Sequence, residues 1–192
     1  ASAGIRGVLC YETTDRHGVD GRKAGIEENR RYLARCRSRR DGRFAGLVGA
    51  HASFTLDDDA LIELRDLADE FDTGVHIHVA EDPCDEADAR ARVGAVANSS
   101  SFSGSSYSGN FNKSLSSSAA VLVDRLDRHG LLRAQSIFAH CTHLSSGEIR
   151  RVSAMGTAVA HNARSNMNNS VGYAPVDQFE SPVMLGTDGI GA

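Results

Sequence analysis

The sequence predicts an α/β fold, a (β/α) barrel of parallel strands each followed by a helix. Three observations carry this reading. Short apolar or β-branched runs alternate with longer stretches of helical spacing, which implies parallel pairing through right-handed crossovers. Polar residues of one chemical kind fall just after strand after strand: Glu12, His51, His78 with Glu81, His140, His161 and Asp188. A (β/α) barrel gathers its active site at those strand ends. The competing open nucleotide-binding sheet lacks support, because no GxGxxG follows any strand.

The elements follow in order. Ile5 to Tyr11 reads as a first strand, then a polar run from Glu12 to Gly18. Glu27 to Arg40 is a charged helix with Ile26, Leu33 and Cys36 as its sparse inner face. Phe44 to Ala50 is the second strand and ends at His51. Thr55 or Asp57 can cap a helix through Phe71, with Leu61, Leu64, Leu67 and Ala68 at helical spacing. Gly74 to Val79 is the third strand, and Asp85 to Ala97 a further helix. Ala119 to His129 is helical, Ser136 to His140 the fourth strand, and Ser145 or Ser146 starts a helix through Met155. Thr157 to His161 is the fifth strand, followed by a loop, and Pro182 to Thr187 the sixth, ending at Asp188.

Between Asn98 and Ser118 the pattern breaks. The segment is dominated by Ser, with Gly, Asn and three aromatics, Phe102, Tyr107 and Phe111. Such a composition buries little and predicts a flexible surface insertion in an otherwise single domain spanning residues 1–192.

Bulk composition narrows the function classes. Of 192 residues, 41% are hydrophobic and 24% charged, ordinary for a globular chain. A net charge of -4 offers no electrostatic case for nucleic acid or an anionic membrane. Trp is absent and aromatics are only 6%, which argues against a base-stacking surface. No apolar run approaches the ~20 residues of a membrane span. The four cysteines, Cys10, Cys36, Cys84 and Cys141, form no CxxC pair. Reduced thiols in a cytoplasmic protein are the simplest reading. The expected partner is therefore a small-molecule substrate.

The chemistry concentrates on Val75-His76-Ile77-His78-Val79-Ala80-Glu81. Side chains alternate along a strand, so His76 and His78 share one face and Val75, Ile77 and Val79 the other. Two imidazoles and a carboxylate at the mouth of a parallel sheet suit a metal hydrolase. Each residue also has a plain alternative. His140 and His161 can be core imidazoles, His51 can cap a loop, and Asp188 before Gly189 can make a turn.

Taken together, HVAE at 78–81, AHCTHLS at 139–145, HNARSNMNN at 161–169 and LGTDG at 185–189 resemble the amidohydrolase superfamily, in its cytosine deaminase and chlorohydrolase-like branch. CYETTDRHG at 10–18, HASFTL at 51–56 and IHVAED at 77–82 extend the likeness, which covers nearly everything outside Asn98–Ser118. The resemblance implies a metal-dependent (β/α)8 barrel of the TIM type, present here as about strands three to eight. It implies one divalent ion, Zn or Fe, with His78, His140 and Asp188 as metal ligands. Glu81, Asp188 and His140 would be catalytic, and His51, Glu12 and Asn166 would contact substrate. His76 is given no family role and is expected in packing or support. A divalent ion lowers the pKa of bound water toward ~7, and a carboxylate then moves a proton to a leaving nitrogen. The implied reaction is deamination of a purine, pyrimidine or related heterocycle.

One departure shapes the expectation. The family takes two further ligands from an HxH motif on its first strand, and this chain shows no such motif ahead of its first strand. The chain then reads as the middle piece of a longer enzyme, binding metal weakly and turning over little by itself. Sheet edges left open at the missing strands would also favour association, which allows a homo-oligomer. The other reading is a scaffold without a complete site, serving assembly or binding.

Overall fold

The protein is described by a computed structural model over residues 4–39, 42–98 and 121–189. Seven short strands, all parallel, occupy six sheet positions in chain order. β1 (Gly7–Leu9) pairs with β2 (Phe44–Gly46). β3 (Val48–Ala52), β4 (Val75–Val79), β5 (Ile137–His140), β6 (Ala158–His161) and β7 (Val183–Leu185) form a second ladder in the order β3-β4-β5-β6-β7. A parallel bridge between Thr13 and Ala50 joins the two, so the sheet continues from β1 past Leu47 into β3. Six consecutive positions of a parallel sheet backed by helices make a partial (β/α) barrel.

The expected second strand, Phe44 to Ala50, is thus broken at Leu47 and runs on to Ala52. Asn29 explains the break. Its side chain, 1% exposed, donates to the carbonyls of Tyr11 and Gly49 and accepts from both of their amides. One helix residue thereby replaces ladder hydrogen bonds that the two strands do not make with each other. Asn29 belongs to α1 (Gly18–Ser38), which starts nine residues before the expected Glu27. Glycines at 18, 21 and 25 speak against helix on propensity. At Gly25, however, an added Cβ would lie 3.0 Å from Thr13 Oγ1, so close packing against the β1 end requires the missing side chain.

The other helices are α2 (Asp58–Phe71), α3 (Pro83–Asn98), α4 (Val121–Arg128), α5 (Ser146–Met155) and the short α6 (Ala163–Asn168). Of the two caps offered for α2, Asp57 is the one used, accepting from the Ala60 amide at 2.7 Å. Ser145 caps α5 in a reciprocal box with Glu148. The expected loop after the fifth strand is instead α6, a correction taken up below. The Ser-rich insertion expected at Asn98–Ser118 lies, beyond Asn98 itself, outside the described residues. No helix among the described residues is long and apolar enough to cross a membrane.

The core lies between the sheet and α2, α4 and α5. Val48, Val75, Ile77, Val79, Phe138 and Val159 meet Leu61, Leu64, Leu67, Leu122, Leu126, Ile149 and Val152 there. β4 shows the alternation the sequence predicts: Val75, Ile77 and Val79 are buried, while His76 and His78 are only half-buried on the opposite face. That opposite face is the inner wall of the partial barrel, and it carries the polar groups.

Candidate metal centre at the strand ends

His78 is the penultimate residue of β4, and its imidazole is oriented by the neighbouring strand. Nδ1 lies 2.5 Å from the backbone oxygen of His51. A carbonyl only accepts, so Nδ1 carries the proton and Nε2 presents its lone pair. The ring centroid of His78 lies 5.4 Å from that of His51 and 5.4 Å from that of His140.

His140 closes β5 with a left-handed φ of 70° and is fully buried. Its Nδ1 is 2.7 Å from Asn166 Oδ1, and Nε2 is 3.7 Å from both Glu81 Oε2 and Asp188 Oδ2. Asp188, with φ 58°, accepts from the Ser165 hydroxyl at 2.6 Å. Burial alone would raise its carboxyl; the Ser165 hydroxyl and the nearby His140 outweigh that and hold it below the usual carboxylate value. His78, His140 and Asp188 each bring one donor atom to within 4.8 Å of the others.

This donor set fits a divalent ion. Ligands about 2.1 Å from a tetrahedral zinc stand about 3.4 Å apart, so a small contraction completes the arrangement. Two neutral imidazoles with Nδ1 committed to an oxygen, plus one carboxylate, are the ligands that zinc prefers. The site also concentrates backbone strain. Of the six non-glycine residues with positive φ among those described, Ala80, His140, Cys141 and Asp188 sit at these strand ends. The Cys141 amide donates to Val79 and the His143 amide to Ala80, which binds the turn after β5 to the turn after β4.

Glu81 follows the Ala80 turn. Asp85, 2% exposed at the start of α3, accepts from the Ala80 amide at 2.8 Å and so holds the turn that presents Glu81. His51 Nδ1 is 2.8 Å from Thr55 Oγ1, and its Nε2 faces Glu12 at 3.7 Å. Both Glu12 and His51 therefore stand at the rim of the cluster, beside His78. Arg125, buried in α4, clamps the turn beyond His51 by donating to the Ser53 and Leu56 carbonyls and to Asp58.

Other expected residues sit differently. His161 ends β6 at the same edge but lies outside the ligand cluster, with Nδ1 buried and without a hydrogen-bond partner. The next residue, Asn162, turns in instead, with Nδ2 3.3 Å from His140 Nε2. Gly186 makes room for it, because a Cβ there would lie 2.0 Å from Asn162 Oδ1. Asn166, expected to contact substrate, is fully buried and both ends of its amide are engaged, on His140 and on Thr142. Its oxygen is turned to His140 and its nitrogen to Thr142. His76 lies 3.8 Å from Cys10 Sγ.

Besides Asp188, the neighbouring His51, His76 and Asp85 titrate away from their ordinary values, and their signs oppose. Burial lowers His51, partly offset by Glu12, and burial likewise lowers His76. Their contribution is present above the ordinary His value of 6.5 and is lost as pH falls through the lowered folded values. Burial pushes Asp85 up from 3.8 to about 6, against the opposing pull of the Ala80 amide. Its contribution is complete below 3.8 and is lost as pH rises through about 6. Asp85→Asn keeps an acceptor for Ala80 and removes that alkaline loss. The pH of maximal Tm is therefore expected to move upward in Asp85→Asn, read by thermal melts across the pH range; an unmoved maximum would contradict the buried-acid account.

Comparison with known proteins agrees with this geometry. A family model described as the amidohydrolase family matches residues 1–192, and the chain belongs to that family. It is 30% identical over 190 residues to a 5'-deoxyadenosine deaminase of Methanobrevibacter smithii, covering 97% of this chain and 38% of that protein. It is 32% identical over 175 residues to a 5-methylthioadenosine/S-adenosylhomocysteine deaminase of Pelotomaculum thermopropionicum, covering 90% of the chain and 34% of the relative. The chain thus spans little more than a third of the length of these relatives. Among solved structures, a zinc-bound adenosine deaminase from Xanthomonas campestris superposes with a TM-score of 0.73 at 24% identity, over 98% of this chain and 38% of that one. A guanine deaminase from C. acetobutylicum with bound guanine gives 0.71 at 18%, over 97% and 41%. These two likenesses establish the shared fold.

Proposed function

We propose that this chain carries the proton-transfer and metal-binding side of a deaminase that hydrolyses an amino group from a purine or related heterocycle. The observation that carries the reading is the meeting of His78, His140 and Asp188, with Glu81 set beside them and off the ligand set. Relatives named for deamination of 5'-deoxyadenosine and 5-methylthioadenosine support a purine ring as the substrate class. A bound divalent ion, zinc by its donor preference, supplies a Lewis acid that makes water nucleophilic at neutral pH.

The chain's own residues do the rest. Glu81 Oε2 takes a proton from the attacking water and passes it to the leaving nitrogen. Asp188 takes the second proton of the water and delivers it to a ring nitrogen, so that the amino group departs as ammonia, the ring keeps a carbonyl oxygen and both carboxylates end as they began. His140 Nε2, between the two carboxylates, offers its lone pair to the ion and so helps hold it beside both proton carriers. His51 and Glu12 orient the substrate at the rim. Residues 1–192 form part of one barrel domain, with the Ser-rich segment as an insertion, and the four free cysteines suit a cytoplasmic setting. Ammonia release from a panel of adenine nucleosides, guanine, cytosine and a chlorotriazine tests the assignment. In a longer protein that supplies the HxH pair, release from the purines is expected to exceed the others, and release from none of them there, with zinc added, would overturn it.

A further inference from the structure

The short α6 helix has no apolar periodicity, yet it and its two flanking residues touch His140, Asp188 and Glu81. Asn162, Ser165, Asn166 and Asn169 are spaced i, i+3, i+4 and i+7, which puts them on one helical face. Each reaches a different atom. Asn162 Nδ2 faces His140 Nε2 at 3.3 Å, and Ser165 Oγ donates to Asp188 Oδ2 at 2.6 Å. Asn166 Oδ1 receives His140 Nδ1 at 2.7 Å, and Asn169 Nδ2 donates to Glu81 Oε1 at 3.3 Å.

The His140 contacts have the most definite consequence. Asn166 Nδ2 donates to Thr142 Oγ1 at 3.2 Å, and the amide oxygen is turned toward the imidazole. An amide oxygen only accepts, so the proton must sit on His140 Nδ1. The amide donor of Asn162 on the other side requires a lone pair on Nε2, and the two constraints agree. Asn166 and His140 are both completely buried, so water does not compete for either bond.

We propose that α6 is the positioning element of the centre, and that Asn166, held by Thr142, locks His140 in the Nδ1–H form whose Nε2 lone pair faces the Glu81 and Asp188 carboxylates, where Asn162 would yield it to a divalent ion. Asn166 is a positioning residue, since it acts through His140. This assignment rests on the metal-centre reading above, but its first test does not. Long-range ¹H–¹⁵N NMR of the His140 ring in the metal-free 192-residue chain reads the tautomer directly. The Nδ1–H form is expected in the wild type and in Asn166→Asp, which keeps the accepting oxygen. Asn166→Leu is expected to release the ring to a mixture with the Nε2–H form, and to weaken zinc affinity about 10–100-fold, the usual effect of losing such a partner. An Nε2–H ring in the wild type overturns the proposal, whether or not Asn166→Leu folds. So does an Asn166→Leu variant with unchanged tautomer and unchanged zinc affinity. If zinc binds away from His140 while the Nδ1–H form holds, the functional reading fails and the tautomer lock stands.

Discussion

In the longer enzyme that supplies the HxH pair, His78→Ala is expected to abolish turnover and to lower divalent-ion affinity by orders of magnitude, with little loss of fold stability. The reason is geometric. Nε2 of His78 is one of only three donors in the cluster, and a catalytic zinc site ordinarily uses three protein ligands and one open position. Its ring is half-buried on the barrel face, away from the apolar core that Val75, Ile77 and Val79 fill, so truncation leaves packing largely intact. Metal analysis after dialysis and a thermal melt of the same sample separate the two effects. Retained zinc with lost activity would move His78 from ligand to substrate contact.

Glu81→Gln is expected to behave in the opposite way: normal metal content, with the rate of ammonia release cut by something like ~10²–10⁴-fold. That corresponds to about 3–5 kcal/mol in the barrier. Glu81 lies 3.7 Å from His140 Nε2 and outside the ligand cluster, so its loss removes a proton carrier and leaves the donors in place. Glutamine preserves the acceptor for Asn169 and cannot carry a proton. Loss of metal in Glu81→Gln, or a rate within a few-fold of wild type, would remove Glu81 from the proton pathway.

The sheet was legible in the sequence because it follows from simple periodicities, whereas the expected ligand set came from the likeness of HVAE, AHCTHLS and LGTDG to the amidohydrolase family. Period-two alternation in Val75 to Val79 places His78 on the inner face, and parallel strands bring their C-terminal residues to a common edge. What stayed hidden depends on contacts between segments far apart in the chain. The start of α1 among glycines is decided by the close approach of Gly25 to Thr13. The break at Leu47 is decided by Asn29, twenty residues from Gly49 in sequence and bonded to its amide. Asn162, Ser165 and Asn166 belong to a run that reads as a polar loop. Its helix has no apolar face to announce it, because the inward face bonds to the site. The positive φ at Ala80 could not be read either, since alanine rarely adopts that conformation without support. Asp85 supplies part of the support at Ala80, and nothing in its sequence position separates it from an ordinary first-turn acid of α3.

The central claim is that His78, His140 and Asp188 form one metal centre. Anomalous diffraction at the zinc edge from zinc-soaked crystals of this chain tests it most directly. The account predicts a single strong peak bonded to His78 Nε2, His140 Nε2 and an Asp188 carboxylate oxygen, with Glu81 next to it and unbound. A peak on the Cys10–His76 pair, or at His161, with none at His140, would contradict it.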